Sequence, residues 1–183
     1  TWLSFFSKQD LNFFSHLDLW AKPFPEDKLK KRPIKVLGYF WGSPEEAKKQ
    51  LQPFLSIGSP TVVIEKATWK KAIEDIEDST AVFLTDKPEY KSPGAYVKDT
   101  LPKEAIDLIH TTLKNSTSPL LNVLLFSMGG KAAEVAPDAT AYYWRPDNFF
   151  INYSIQWLNP SDDKTQKAEI STLREKLSPY TEG

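Results

Sequence analysis

A chain of 183 residues is long enough for one globular domain with a real core, and its 40% apolar and 26% charged content is ordinary for such a domain. A net charge of −1 gives no pull toward nucleic acid or an anionic membrane, and the cluster Lys28, Lys30, Lys31 and Arg32 reads as a solvated approach to a strand. The absence of cysteine excludes disulfides, thiolate metal sites and a cysteine nucleophile, and no apolar run reaches the roughly 18 residues of a membrane helix.

The first residues, Thr1 to Phe6, lack the basic stretch and apolar core of a signal peptide, and the lack of an initiating Met is expected either of a chain that begins inside a longer product or of one that has been processed. Localisation stays open, because cytosolic and secreted proteins alike can do without cysteine. Aromatic residues make up 13%, with six Trp, which reads first as heavy aromatic packing and second as a surface that stacks on a sugar or a flat cofactor.

Leu11, Phe13, Phe14, Leu17 and Trp20 suggest a short helix that Pro23 and Pro25 end. Ile34 to Trp41 reads as a strand with Ile34, Val36, Gly38 and Phe40 on one face. Ser43-Pro44-Glu45-Glu46 opens a helix: Ser43 caps, Pro44 suits the first position and Glu46 completes a capping box, with Ala47, Leu51 and Phe54 turned to the core. After a turn at 57–60, Thr61 to Glu65 reads as a short strand, and Thr68 caps a helix whose inner face is Trp69, Ala72, Ile73 and Ile76.

Ala81 to Thr85 is expected to be a strand, and 86–99, with Pro88, Pro93 and Gly94, a loop. A helix follows from Pro102, with Ile106, Ile109 and Leu113 inward, and Leu120 to Met128 reads as a central strand ended by a turn at Gly129-Gly130. Ala139 to Trp144 and Phe149 to Leu158 are expected as the last strands, and a helix near 162–177 buries Ile170, Leu173 and Leu177. The late strands have no crossovers between them and must be antiparallel. The expected class is α+β, an antiparallel-rich mixed sheet with helices 44–55, 68–77, 102–114 and 162–177 packed on one face.

His16 and His110 are the only histidines, without a partner at ligand spacing, and read as solvated or capping rather than metal-binding. No Gly-x-Ser-x-Gly elbow or Gly-x-Gly-x-x-Gly turn is present, and Ser127 to Lys131 lacks the full phosphate-loop pattern.

Several segments, in order, resemble the substrate domain of the berberine-bridge-enzyme-like FAD-linked oxidases. They are Gly38-Tyr39-Phe40-Trp41-Gly42-Ser43-Pro44-Glu45-Glu46-Ala47, Leu51-Gln52-Pro53-Phe54-Leu55, the stretch Gly129 to Ala141 with its Asp-Ala-Thr-Ala, Trp144-Arg145, and Leu177-Ser178-Pro179-Tyr180-Thr181-Glu182-Gly183. The likeness covers 34–183, expected to be the substrate-binding domain, and matches 1–33 poorly.

The resemblance implies a parent protein in which a separate FAD-binding domain of the same chain holds the flavin, often covalently. An alcohol, sugar or amine carbon of a small-molecule substrate loses a hydride to flavin N5 there while a side chain of the substrate domain handles the proton. FAD belongs to that parent, and none is expected to be bound to this piece, which lacks the flavin domain and stops where the family's tyrosine-bearing strand would begin. The family's proton-handling residue stands five positions before a Trp, which from Trp157 gives Asn152, whereas a slipped register gives Gln156. Asn cannot act as a base but can hydrogen-bond a hydroxyl. Phe150 and Ser154 share that strand face and, with Trp144 and Arg145, are the expected substrate-binding residues. Without its flavin domain, that sheet face would be bare and is expected to self-associate. The alternative reading is a stand-alone module that binds a carbohydrate or other small ligand without catalysis.

Overall fold

The computed structural model describes residues 2–6, 12–22, 34–80, 88–128, 132–145 and 149–183. Period-two alternation in three apolar segments builds the centre of the molecule. These are β1 (Phe13–Trp20), β5 (Asn122–Ser127) and β6 (Phe149–Trp157), joined by β2 (Ile34–Phe40) outside β1 and by β3 (Glu89–Lys91) and β4 (Gly94–Val97) outside β6. The sheet order is β2-β1-β5-β6-β3, with β4 also on β6, and every one of these ladders is antiparallel. The α+β class stands.

The helices are α1 (Trp2–Phe6), α2 (Pro44–Gln50), α3 (Gln52–Leu55), α4 (Trp69–Thr80), α5 (Lys103–Asn115) and α6 (Asp163–Leu177). Ala105, Ile109 and Leu113 of α5 and Ile170, Leu173 and Leu177 of α6 recur every three to four residues and pack on one sheet face. That face carries Val123, Leu125, Phe149, Ile151, Tyr153 and Ile155. At the other end of the same face α1 sets an aromatic cluster, with Trp2 against Phe149 at 5.3 Å and Phe5 against Phe54 at 4.9 Å. Much of the aromatic richness is therefore core packing. Ser43 caps α2 with the full capping box, its N–H donating to Glu46 Oε2 at 2.9 Å. The two hydrogen bonds from Ser43 hold the Glu46 carboxyl below its ordinary pKa.

Several sequence expectations are corrected. The segment around Phe13 to Trp20 is a strand, because its alternation puts Phe13, Leu17 and Leu19 on the helix side and His16, Asp18 and Trp20 on the other. His16 is 1% exposed, not solvated. The stretch 86–99, read as a loop, contributes β3 and β4, broken only at Ser92-Pro93; proline is tolerated there because this is an edge. Those strands take the free side of β6, and the outer side of β4 is closed by Glu182, whose N–H donates to Tyr96 O at 2.8 Å. Ala139 to Trp144, expected as a strand, joins none of these ladders and runs as bends and irregular chain. Thr61 to Glu65 is not a strand either, and Val63 is 80% exposed.

The helix expected over 44–55 is interrupted at Leu51. Ile106 of α5 is 46% exposed because Ala105, one position earlier, begins the buried stripe. Trp69 of α4 is 59% exposed; instead of entering the core it rests on Tyr39 and Trp41, while Tyr39 Oη donates to Ala72 O at 3.1 Å. Tyr39 shares the sheet face of Phe14, opposite α5 and α6, so the helix expected at 68–77 does not pack on the same face as the others. The expected strand at 81–85 and the Gly129-Gly130 turn lie outside the described residues.

Candidate functional site

The face of the sheet opposite α5 and α6 mixes polar and aromatic side chains. Ladder register arranges its side chains in rows across the strands. One row runs Trp20, Asn122, Ser154; the next runs Asp18, Leu124, Asn152; a third runs His16, Phe126, Phe150, Tyr96. Gln156 stands opposite Tyr90 of β3. The first two rows, with Tyr90, Ser92, Pro88 and Gln156, line a cleft of about 570 Å³. That volume lies within the range of small-molecule sites.

Three of the residues picked from sequence, Asn152, Ser154 and Gln156, line this cleft together. Asn152 is held in place: its Nδ2 donates to Pro93 O at 3.3 Å, and its amide meets Ser92 Oγ at 3.0 Å and 3.2 Å. The break in the edge strand thus orients the amide. Gln156 is buried, and its Oε1 has no hydrogen-bond partner among the described residues. Phe150 belongs to the aromatic row beside the cleft, 5.2 Å from Tyr96. Trp144 stacks on the far side of that row, 5.0 Å from Tyr96 and nearly parallel to it. Arg145 points elsewhere, donating to Ala132 O at 3.2 Å and Thr140 Oγ1 at 2.7 Å. Neither Trp144 nor Arg145 lines the cleft.

Sequence reasoning missed Asp18, Trp20, Asn122, Tyr90 and Ser92. The signal was present in the alternation Phe14, His16, Asp18, Trp20, but it vanishes when the segment is read as a helix. Asp18 is 1% exposed, and its Oδ1 has no hydrogen-bond partner among the described residues. Burial pushes its pKa above the ordinary carboxylate value, against the pull of His16 and of Lys35 across the β1–β2 ladder. Burial likewise lowers the pKa of His16, and Asp18 opposes the shift. No cluster of side chains able to hold a metal ion occurs among the described residues, and none of their helices is long and apolar enough to cross a membrane.

No protein-family model matches the chain. An uncharacterized FAD-linked oxidoreductase of Bacillus subtilis, YgaK, is 30% identical over 183 residues, which is all of this chain and 39% of that protein. Berberine bridge enzyme-like 16 of Arabidopsis thaliana is 28% identical over 189 residues, covering 93% of this chain and 34% of the relative. The chain thus spans little more than a third of the length of these relatives. The solved structure of BBE-like 28 from Arabidopsis thaliana superposes with a TM-score of 0.79 at 18% identity, covering 98% of this chain and 39% of the other. Along its whole length, the chain corresponds to one part of the FAD-linked oxidoreductases of the berberine-bridge-enzyme-like family and has the fold of that part.

Proposed function

We propose that this chain is the substrate-binding domain of an FAD-dependent oxidoreductase. Its cleft would hold a small molecule whose alcohol, sugar or amine carbon gives up a hydride. The observation that carries the reading is the division of one sheet into a dry face and a polar one. Ile151, Tyr153 and Ile155 are sealed under α5 and α6, while the alternate residues Asn152, Ser154 and Gln156 turn into the cleft.

Among the described residues none that lines the cleft is a glycine and none begins a helix, so this set suits a substrate rather than the phosphates of a dinucleotide. The flavin would be held by another domain of the same polypeptide and, when bound, supplies the hydride acceptor. The task of this chain is then positioning. Asn152, fixed by Ser92 and Pro93, presents a hydrogen bond to a substrate hydroxyl or amine but takes no proton. Trp20 and Tyr90 offer flat walls against which a ring can lie. Left without a covering domain, the same face would be a surface for self-association.

The test is made on the full natural polypeptide that carries this sequence. It should purify with flavin absorbance, and a panel of sugars, aromatic alcohols and amines should contain a compound that bleaches the flavin anaerobically. Asn152→Leu should slow that bleaching by about tenfold or more, the worth of one hydrogen bond aimed at the reacting group. A full polypeptide that carries no flavin would overturn the proposal.

A further inference from the structure

We infer that Asp18 is the ligand-recognition residue of the cleft. Its carboxyl, with the amide oxygens of Asn122 and Gln156, receives hydrogen bonds from a ligand that presents several donors. This inference rests on the reading of the cleft as a substrate site.

Three oxygens, Asp18 Oδ1, Asn122 Oδ1 and Gln156 Oε1, are buried without a hydrogen-bond partner among the described residues, and all three residues line the cleft. An unpaired buried acceptor is costly, and the great majority in folded proteins are satisfied. Three of them converging on one cleft are most simply explained if a bound molecule completes them. Their register sets the shape of that molecule. Asn122 is opposite Trp20, two residues along β1 from Asp18, and Gln156 is two residues along β6 from Ser154, the partner of Asn122. Diagonal cross-strand neighbours of this kind stand about 7–8 Å apart, still within reach of long side chains. One ligand of roughly ring size can therefore donate to two of the acceptors at once.

All three unpaired atoms are acceptors, so the complementary ligand is rich in hydroxyl or ammonium donors, and a carboxylate is disfavoured. Among the described residues Asp18 is the one carboxyl lining the cleft, which gives it the strongest acceptor of the set. His16, on the same face of β1, flanks it; its ring lies 5.5 Å from that of Phe126 and it does not line the cleft.

The experiment uses the full natural polypeptide and three probes: methyl β-glucoside as a neutral polyol, cyclohexylamine as an ammonium, and cyclohexanecarboxylate as an anion. Binding is measured by calorimetry for the unaltered protein and for Asp18→Asn and Asp18→Leu, with circular dichroism to confirm that each variant is folded. Should Asp18→Leu not fold, Asp18→Asn, nearly isosteric, carries the test alone.

If the hydroxyl donors are the natural ones, the glucoside binds and weakens about tenfold or more in the variants. If the ammonium is, cyclohexylamine shows that loss, and shows it already in Asp18→Asn. Either result supports the inference and identifies the source of the donors. Binding of the carboxylate as tight as that of the better donor probe, affinities unmoved by the substitutions, or no binding of either donor probe overturns it. Flavin absorbance of the same preparation separates the two readings. A colourless protein with Asp18-dependent binding rejects the oxidoreductase and keeps the recognition role, and a yellow one with Asp18-independent binding does the reverse.

Discussion

Replacing Tyr153 by Phe reads out the strand register on which the site depends. Tyr153 lies between Asn152 and Ser154 in β6, so if those two face the cleft its ring must lie under the helices, and it is fully buried there. Burial pushes its phenol up to about 12, against the opposite pull of the neighbouring Thr181 and Arg174. Thr181 donates to Leu177 O at 3.3 Å, and the Tyr153 hydroxyl itself has no hydrogen-bond partner among the described residues.

The folded pKa is raised, so the associated stability is fully present below the unfolded value of about 10 and is lost as pH rises toward the folded one. Between pH 9 and pH 11 the unfolded tyrosine releases its proton while the folded one keeps it, which removes about 1.3 kcal/mol. Tyr153→Phe abolishes that term and deletes a buried, unpaired hydroxyl, so at pH 7 it should be neutral or stabilising. Urea midpoints of both proteins at the two pH values give the comparison, since the lysines and other tyrosines titrate alike in each and cancel. A difference between the proteins that does not change with pH would mean that the phenol is solvated and the faces of β6 are exchanged.

Leu173→Ala should cost about 2–5 kcal/mol in urea denaturation, because Leu173 is buried in the contact between α6 and the sheet and its removal leaves a cavity. A loss below about 1 kcal/mol would mean that α6 is not packed as described. Gly38→Ala should destabilise strongly, since a Cβ there would stand 2.3 Å from the backbone oxygen of Phe14 and force β1 and β2 apart. Unchanged hydrogen-exchange protection of β1 in that variant would contradict the close approach. The 183-residue chain alone should retain no flavin through dialysis; stoichiometric yellow flavin on it would reject the assignment of flavin binding to another domain.

Local chemistry made much of this architecture legible. The capping box at Ser43 and Glu46 needs only neighbours in sequence, and it forms. The apolar stripe Ile170, Leu173, Leu177 and the long alternation of Phe149 to Trp157 each carry their own period, and both elements appear where that period puts them. The face of β6 that holds Asn152, Ser154 and Gln156 follows from the same alternation.

The class of fold, the elements with a strong internal period, and one strand of the candidate site were therefore legible from residue order alone. Which weak segments become strands depended on long-range pairing. Glu89–Lys91 and Gly94–Val97 pair because β6 has an open side, whereas Ala139 to Trp144 joins no ladder among the described residues. The tertiary structure also brought Asp18 and Asn122 beside Asn152. A short strand gains its stability from the ladder it joins and not from its own residues, so its existence, and any site built across several strands, depends on pairing partners far away in the chain.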